Sequence, residues 1–562
     1  MKLSLPLAAL LVVSSSLSIA KPPKKGKGPP PPAIEAADDA AKAGWNKRLK
    51  LSSKGKCEDL INPTARFDLT RADPTLDEVK ADAAAYLALA RCAEKQKYYV
   101  LEADLAALIA KADKKNPHLE LFVRALLGLG ANDDAIELLN KALEGFPDDP
   151  DLHLSGAKAY CRIRNWEKCK EYATKADELS AKMPDKDKEA VSGRAHKYLS
   201  RVYLHTGEFD LIELSTLMME LNNSDKEAIE GLEQALVPAK TWKLVVEPEY
   251  ATHVALGVYH LTGKLEGLNA PVKVVLTNLG DDRQVRVEAG LSGITSTATK
   301  TVSLRKGKEA VVELTPPLLA NFDATSVRAT KNVSLELKVT SIGSDAKESV
   351  VLQETREVSV EPRDFLPMSA AVDKEKRVKR FSYVGAWVTP NAKAVEAFLT
   401  KAKANAPGET FSGEQSATLP QVKALFDTLK AEGVSYVMDP NVMSGLGFGQ
   451  RTRLPSEVLA STNAQCLEGS LLYASLLESI GLQPEIIFVP GHAFVGWKAS
   501  AKDGVSATTH FFLETTMTHD GEYEQALLVA KKEFEEADSQ NEVTVLPIGA
   551  LRKNGVTPQP FE

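Results

Sequence analysis

Three residues in the C-terminal part of the chain carry side chains that together could form a nucleophile and its proton acceptor. Cys466 precedes a long apolar segment, His492 lies in the segment GHAFVGW, and Glu514 lies in the segment HFFLETT. In thiol chemistry an imidazole accepts the thiol proton, while a carboxylate orients the imidazole and stabilises its cationic form. The resulting thiolate–imidazolium pair attacks carbonyl carbon atoms. We therefore predict a reactive centre made of Cys466, His492 and Glu514.

The apolar pattern also predicts the elements that position these residues. In chain order they are a helix that opens within 463–470 and ends at Gly481, and strands over 485–490, 491–497 and 510–516. The helix is apolar around most of its circumference, so it should be buried. Cys466 then lies at the helix N-terminus, where unpaired N–H groups favour a thiolate. An unpaired carboxylate in the apolar third strand would be costly, so Glu514 needs a partner.

An acyl-transfer site also needs donors for the negative charge that develops on the carbonyl oxygen. The candidates are the backbone N–H of Cys466 and the side-chain amide of Gln450 or Gln465. Two arginines, Arg451 and Arg453, follow in the segment QRTRLP. They could line the same cleft, but a surface ion pair is the more common role for such side chains.

This region resembles a bacterial branch of the transglutaminase-like superfamily in the stretch QRTRLPSEVLASTNAQCLEGSLLYASLLESIGLQPEIIFVPGHAFVGW and in FLETTM. Members of that superfamily share a papain-like Cys-His-Asp arrangement, with the cysteine on a helix and the other two residues on adjacent strands. The resemblance covers roughly residues 380 to 540 and assigns Cys466 to the nucleophile, His492 to the base and Glu514 to the position usually held by aspartate. It implies acyl transfer or hydrolysis at an amide through a thioester. We assign residues 380–562 to this α+β domain.

The region from 33 to 240 is predicted to be almost wholly helical, because alanine and leucine recur there at helical spacing. A period of 34 residues relates Ala135 and Ala142 to Cys169 and Ala176, small residues where paired helices approach closely. The region therefore resembles tetratricopeptide-like repeats. Such repeats usually bind a protein or peptide, which could be the substrate, although a plain helical spacer is the alternative.

The region from 241 to 365 alternates apolar and polar residues between turns, which predicts an immunoglobulin-like or fibronectin-like β-sandwich. The alternating segments are TWKLVVEP, VKVVLTNLG, QVRVEAGLSG, KTVSLRKGKEAVVEL, SLELKVTS and TREVSVEP. None of them resembles a catalytic constellation, so we expect a spacing or adhesive role. The predicted fold class is therefore multidomain: an all-α helical repeat, an all-β sandwich, and an α+β domain.

The first twenty residues predict a cleaved signal peptide, with Lys2 before the apolar stretch 3–13 and the small-residue pattern Ser18-Ile19-Ala20 after it. An uncleaved anchor is the alternative, but this apolar run is too short to span a bilayer. Residues 21–32, KPPKKGKGPPPP, predict a solvated linker. We therefore expect a periplasmic or secreted protein without stable membrane insertion.

Five cysteines in an exported chain leave at least one without a partner in the chain. Cys57 and Cys92 lie in the helical region, Cys161 and Cys169 lie eight residues apart, and Cys466 is alone in the last domain. Five ordinary buried thiols are an alternative that spacing alone leaves open.

The net charge and the spacing of possible metal ligands indicate which partners and cofactors to expect. The 69 basic and 76 acidic side chains give a net charge of −7, which provides no basic footprint for nucleic acid. We expect no cofactor and no metal, although His492, His510 and Glu514 could be arranged as metal ligands. The stronger alternative to an enzyme is a catalytically inactive periplasmic scaffold or protein-binding module, because fold resemblance does not guarantee activity.

Overall fold

The structure is a computed structural model that describes residues 32–52, 55–115, 117–221, 226–265, 267–371, 377–438, 449–499 and 509–561. The predicted signal peptide lies outside the described residues. The predicted linker does too, except for Pro32, which is the first residue of a helix.

The N-terminal region is helical, as the spacing of its alanine and leucine residues predicts. Its helices are Pro32–Leu51, Cys57–Leu60, Ala65–Ala72, Leu76–Ala81, Ala83–Lys95, Tyr99–Ala112, Leu119–Gly128, Asn132–Gly145, Pro150–Arg162, Trp166–Ser180, Asp185–Thr206, Phe209–Leu221 and Lys226–Trp242. The 34-residue period falls on the second helices of two successive pairs. Ala135 and Ala142 on one, and Cys169 and Ala176 on the other, are at most 1% exposed. Small side chains at these positions let the neighbouring helices pack closely.

Two disulfides lie in this region. Cys57 is bonded to Cys92, which ties the short helix Cys57–Leu60 to the helix Ala83–Lys95. Cys161 is bonded to Cys169, which joins the two helices of one pair near their connection. Cys466 is a free, half-buried thiol.

The middle region forms two sheets that share one hydrophobic core. The first sheet has the order Leu244–Tyr250, Val272–Asn278, Glu309–Leu314, and the second has the order His253–Ala255, Glu348–Glu361, Lys331–Ile342, Arg283–Leu291, Ala298–Leu304. The segment KTVSLRKGKEAVVEL holds two strands rather than one. The chain turns between them at Gly307, whose φ of +69° favours glycine, and the two strands belong to different sheets.

The C-terminal region combines helices and short strands. They are the strands Phe365–Pro367, Ser369–Ala371, Arg377–Lys379, Ser435–Tyr436, Gly449–Arg451, Asn463–Ala464, Gln483–Val489, His492–Ala499, Thr509–Leu513 and Thr544–Pro547, and the helices Lys393–Ala402, Thr418–Ala431, Pro455–Ser461, Cys466–Ser479, Tyr523–Ser539 and Ile548–Lys553. Short 3-10 turns lie in the C-terminal region at Phe381–Trp387, Lys403–Asn405, Pro407–Glu409 and Thr515–Met517, and in the middle region at Leu256–Leu261 and Ala324–Ser326. Phe365–Pro367 pairs with Gly449–Arg451, so this segment at the end of the predicted sandwich joins a strand of the C-terminal region.

Four antiparallel strands form the sheet that carries the candidate site, here called the site sheet: Thr509–Leu513, His492–Ala499, Gln483–Val489 and Thr544–Pro547, in that order. The helix Cys466–Ser479, here called the thiol helix, shares a core with Ile486, Val495 and Leu513. The helix Tyr523–Ser539, here called the outer helix, covers the alternate side chains Ile487, Phe494 and Phe512 through Ala530 and Phe534. The sheet is therefore covered on both faces.

The thiol helix has the predicted extent and burial. It is buried from 467 to 477, and Gly481 follows its end with a φ of +82°. Among the described residues, we found no helix that is both long and apolar enough to cross a membrane.

Candidate active site

The thiol of Cys466 is positioned by the start of a buried helix. Cys466 is the first residue of the thiol helix, after Gln465 in an extended conformation. The first N–H groups of a helix have no acceptor within the helix, so they point toward the region in front of the sulfur. The carbonyl of Cys466 accepts hydrogen bonds from Ser470 at 2.7 Å and from Thr515 at 3.4 Å. These contacts fix the backbone that carries the thiol.

A buried ion pair holds the same helix start. Glu468 is 4% exposed and accepts hydrogen bonds from Arg453 Nη2 at 2.7 Å and from Arg453 Nε at 3.0 Å. The backbone N–H of Gln465 donates to Glu468 at 3.1 Å. The expectation of a surface ion pair is therefore wrong for Arg453, because its partner lies on the first turn of a core helix. Arg451 pairs with Asp364 at 2.6 Å, and neither arginine lines the cavity at Cys466.

The imidazole of His492 lies between the thiol and a carboxylate. His492 is the first residue of its strand, and its Nε2 lies 2.8 Å from Glu514 Oε2. This contact occupies Nε2 and leaves Nδ1 available for a second partner. Burial alone would lower the pKa of His492, but hydrogen bonds to Cys466 and Glu514 and the charges of both groups outweigh it and raise the pKa to about 10. The imidazolium form is therefore favoured at neutral pH.

The carboxylate of Glu514 is buried and held by a turn. The predicted strand 510–516 is too long, because the strand ends at Leu513 and Glu514 precedes the 3-10 turn Thr515–Met517. Glu514 Oε1 accepts hydrogen bonds from the backbone N–H of Thr516 at 3.0 Å and from its hydroxyl at 2.6 Å. The other oxygen contacts His492, so the extra methylene of glutamate over aspartate does not prevent that contact.

The ionised form of Glu514 is favoured despite its burial. Glu514 is only 3% exposed, and burial by itself would raise its pKa. The hydrogen bond and positive charge of His492, followed by the hydrogen bonds from Thr516, outweigh burial and lower the pKa of Glu514 below the usual glutamate value. Glu514 is therefore suited to stabilising a cationic imidazole.

A cavity of about 650 Å³ opens in front of Cys466 and His492. Both glutamines proposed as oxyanion donors line it. Gln465 Nε2 donates to the Arg451 carbonyl at 3.1 Å, and Gln450 Nε2 donates to Thr452 Oγ1 at 3.2 Å. A primary amide carries two N–H groups, so each glutamine has a second hydrogen to offer. The other lining residues include Met368, Lys379, Phe381, Leu467, Phe488, Asn541 and Glu542.

A second carboxylate beside the imidazole was missed by the sequence reasoning. Glu533 Oε2, on the outer helix, lies 3.7 Å from His492 Nε2. Alternation along the strand places His492 on the same face as Phe494, the face that the outer helix covers. Glu533 lies in the charged run KKEFEEAD, which on the sequence alone has the character of a solvated helix face. The contact could have been predicted only by knowing which side of the outer helix packs against the strand face that carries His492.

The predicted metal alternative is not assembled as expected. His510 binds Glu485 at 2.8 Å and is not close to Glu514. Within the described ranges, the one group of three possible ligands is His492, Glu514 and Glu533, whose ligand atoms lie within 4.8 Å of one another. His492 Nε2 lies 2.8 Å from Glu514 Oε2, which is a hydrogen-bond distance. In this arrangement Nε2 donates a hydrogen bond to the carboxylate and has no free lone pair to offer a metal ion. These three residues fit a hydrogen-bonded acid–base cluster better than a metal site.

The structure thus brings Cys466, His492 and Glu514 together at one cavity, with Gln450 and Gln465 on its wall. Glu533 adds a second carboxyl group near the imidazole nitrogen that contacts Glu514. Comparisons of the chain with protein-family models, with curated proteins and with solved structures found no significant match.

Proposed function

We propose that this chain is a transglutaminase-like thiol enzyme, a cysteine acyltransferase or amide hydrolase, that acts on an amide bond of a protein or peptide. The observation that carries the proposal is the position of His492, between a free thiol and a buried carboxylate at the mouth of a cavity. A structural cysteine needs no imidazole and no buried counter-charge. Their coincidence at Cys466 favours catalysis.

The proposed reaction has two steps. The Cys466 thiolate attacks the amide carbonyl carbon and forms a sulfur–carbon bond, while the carbonyl oxygen becomes an oxyanion. When this intermediate collapses, the carbon–nitrogen bond breaks, and the His492 imidazolium gives its proton to the leaving nitrogen. Water or a primary amine then gives a proton to His492 and attacks the thioester. The sulfur–carbon bond breaks, and the thiolate–imidazolium pair is restored.

The oxyanion would be stabilised by the backbone N–H of Cys466 and by one of the cavity amides. Gln465 is adjacent to the nucleophile and already anchored by its bond to the Arg451 carbonyl, so its second N–H would be held in place. Such preorganised donors are worth about 3–4 kcal/mol of transition-state stabilisation.

The cavity favours an extended segment with an apolar side chain near the reacting amide. Phe381 and Phe488 line it and stack with ring centroids 4.5 Å apart, and Met368 is another apolar lining residue. Lys379, Asn541 and Glu542 supply polar groups. A peptide offers both kinds of group at each residue, which supports a peptide or protein substrate.

We further propose that the chain is exported to the periplasm or outside the cell, with tetratricopeptide-like repeats and an immunoglobulin-like sandwich ahead of the thiol domain. The two disulfides support an oxidising compartment. A cavity of about 750 Å³ lies among several helices of the N-terminal region and includes Arg91, Arg124, Lys158 and Arg194 on its wall. This cavity supports recruitment of a protein partner or substrate, and it also favours the second candidate, a non-catalytic binding module.

The direct test compares the wild-type chain with Cys466→Ala on a mixture of peptides, with and without an added primary amine. Mass spectrometry should find an acyl adduct on Cys466 and new products that the variant does not form. Carboxyl products alone indicate hydrolysis, and amine-linked products indicate transamidation. Equal products from both proteins would refute the enzyme and leave the binding module.

A further inference from the structure

We infer that Glu533 is a positioning residue of the thiol site, a protonated carboxyl group that donates a hydrogen bond to Glu514 and so fixes the carboxylate against His492. This inference deepens the proposed thiol function and rests on it. Glu533 does not touch the substrate cavity, and it acts through Glu514 on the imidazole.

The first observation is a distance. Glu533 Oε2 lies 3.7 Å from His492 Nε2, which is too long for a hydrogen bond, while Glu514 Oε2 lies 2.8 Å from the same nitrogen. The imidazole N–H is therefore committed to Glu514. Glu533 is close to this pair without bonding to the ring.

The second observation is an unsatisfied atom. Glu533 Oε2 is buried and has no hydrogen-bond partner in the structure. Two ionised carboxylates both lack hydrogens, so contact between Glu533 and Glu514 becomes a hydrogen bond only when one of them carries a proton. A proton on Glu533 would satisfy this atom and remove the repulsion between the two groups.

The hydrogen-bond partners place that proton on Glu533, because both oxygens of Glu514 already accept hydrogen bonds from His492 and Thr516, whereas Glu533 Oε2 has no partner. Burial, followed by the negative charge of Glu514, raises the pKa of Glu533 against the opposing effect of His492. The pKa of Glu514 shifts in the opposite direction, mainly because His492 outweighs burial. When two carboxyl groups share a site, one is ionised and the other keeps its proton.

Several other groups face this cluster and belong to any account of its pH dependence. They are Cys466 and His492 themselves, Glu536 on the outer helix, Tyr436 beside Cys466 and Glu514, and Lys379 and Glu542 on the cavity wall. Glu514 and Glu536 both favour a proton on Glu533, and the charge of His492 opposes it.

The test measures the rate of Cys466 alkylation by iodoacetamide between pH 5 and 10 in the full-length chain. Two variants separate hydrogen bonding from charge: Glu533→Gln keeps a neutral donor, and Glu533→Leu removes it at similar volume. Glu535→Gln, on the same helix with its side chain 64% exposed, is the matched control. Thermal unfolding of each variant shows whether it is folded.

We expect Glu533→Gln and Glu535→Gln to follow the wild type at every pH. In Glu533→Leu the alkylation of Cys466 should be slower by about fivefold at pH 5–6, because Glu514 is held less firmly and stabilises the imidazolium less. The loss of one hydrogen bond changes a rate by about this factor. All four proteins should converge above about pH 9, where thiols ionise without help. A merely structural role would not produce this pH-dependent convergence.

Two results would overturn the inference. If Glu533→Leu reacts like the wild type at pH 5–6, Glu533 has no effect on the site. If Glu533→Gln is as slow as Glu533→Leu, the ionised charge matters and the donated hydrogen bond does not. Failure of the proposed function looks different, since Cys466 of the wild type would then react no faster than an ordinary thiol.

Discussion

The helical region and the C-terminal region put cysteine to different uses. In the helical region Cys57 and Cys161 each face a second cysteine and are oxidised to disulfides that join helices. In the C-terminal region Cys466 faces an imidazole held by Glu514, and it is free. The same side chain is a crosslink beside a second cysteine and a free thiol beside an imidazole. The comparison teaches that the environment of the sulfur, and not its presence, indicates chemistry.

The carboxylates of the two regions differ in the same way. In the helical cavity Glu94 lies 3.1 Å from Lys158 and 3.7 Å from Arg124, so permanent cations neutralise it. In the thiol site the partner of Glu514 is His492, whose charge can change during a reaction. The first arrangement suits structure or recognition, and the second suits proton transfer.

The largest expected effect concerns His492. His492→Ala should slow alkylation of Cys466 at pH 6 by about 10³-fold, because the thiolate loses its counter-ion and proton acceptor. Glu514→Gln should cost about 10²-fold, since the amide holds the ring but supplies no charge. His510→Ala is the control, because His510 binds Glu485 elsewhere on the site sheet. If all three variants react with the alkylating reagent at the same rate, His492 and Glu514 do not activate Cys466, and Cys466 is an ordinary thiol.

The disulfides should control stability and leave reactivity unchanged. Replacing both Cys57 and Cys92 by alanine opens a loop with a sequence separation of 35 residues and should lower the free energy of unfolding of the helical region by about 4 kcal/mol. The same change at Cys161 and Cys169, with a separation of 8 residues, should cost about 2.5 kcal/mol. Denaturant unfolding measures both. If either double variant changes the rate of Cys466 alkylation, the disulfides of the helical region affect the thiol site, which would contradict this prediction.

Arg453 provides a test of how the thiol helix is held. Arg453→Met should lower the free energy of unfolding by about 3 kcal/mol, because it leaves the buried charge of Glu468 without its partner. Arg451→Met should cost about 1 kcal/mol or less, since the Arg451 side chain is 36% exposed and solvent screens its pair with Asp364. Urea unfolding of the two variants compares them. If they lose equal stability, the pair at Glu468 has no special role at the helix start.

The pH dependence of stability that His492 contributes is expected to be smaller than the effect of losing Arg453. The pKa of His492 is about 10 in the folded chain and about 6.5 in an unfolded chain. The folded state therefore binds this proton more tightly. The resulting stabilisation, about 2 kcal/mol after allowance for partial exposure, is fully present below about pH 6.5 and lost as the pH rises through about 10.

The measurement for this prediction is the difference in unfolding free energy between the wild type and His492→Gln as a function of pH. It should decrease steadily from neutral to alkaline pH. A difference that increases over this range would show that the neutral imidazole is the form that the fold prefers.

The local periodicity of the sequence was sufficient for the main elements of the site. An apolar circumference that opens at Cys466 predicted the buried thiol helix, and alternation predicted the strand that begins near His492. The end of the third strand was predicted wrongly. Thr515 and Thr516 have high strand propensity, but the Thr516 N–H and hydroxyl bind the Glu514 side chain and form a turn.

Contacts between distant segments could not be predicted from local pattern. The Arg453–Glu468 pair depends on how the chain folds back before the thiol helix, and charge spacing alone favoured a surface pair. Glu533 depends on the rotation of the outer helix over the face of the sheet that carries His492. Such contacts are set by tertiary packing, which a single sequence does not encode in its periodicity.

The most direct test of the central claim is the pH profile of Cys466 alkylation in the wild-type chain. If His492 and Cys466 form an ion pair, the rate with iodoacetamide should exceed that of a free thiol at pH 5–7 and stay nearly constant up to about pH 9. A rate that matches a free thiol and rises with a single pKa of about 8.5 would contradict the account, because Cys466 would then ionise without help from His492.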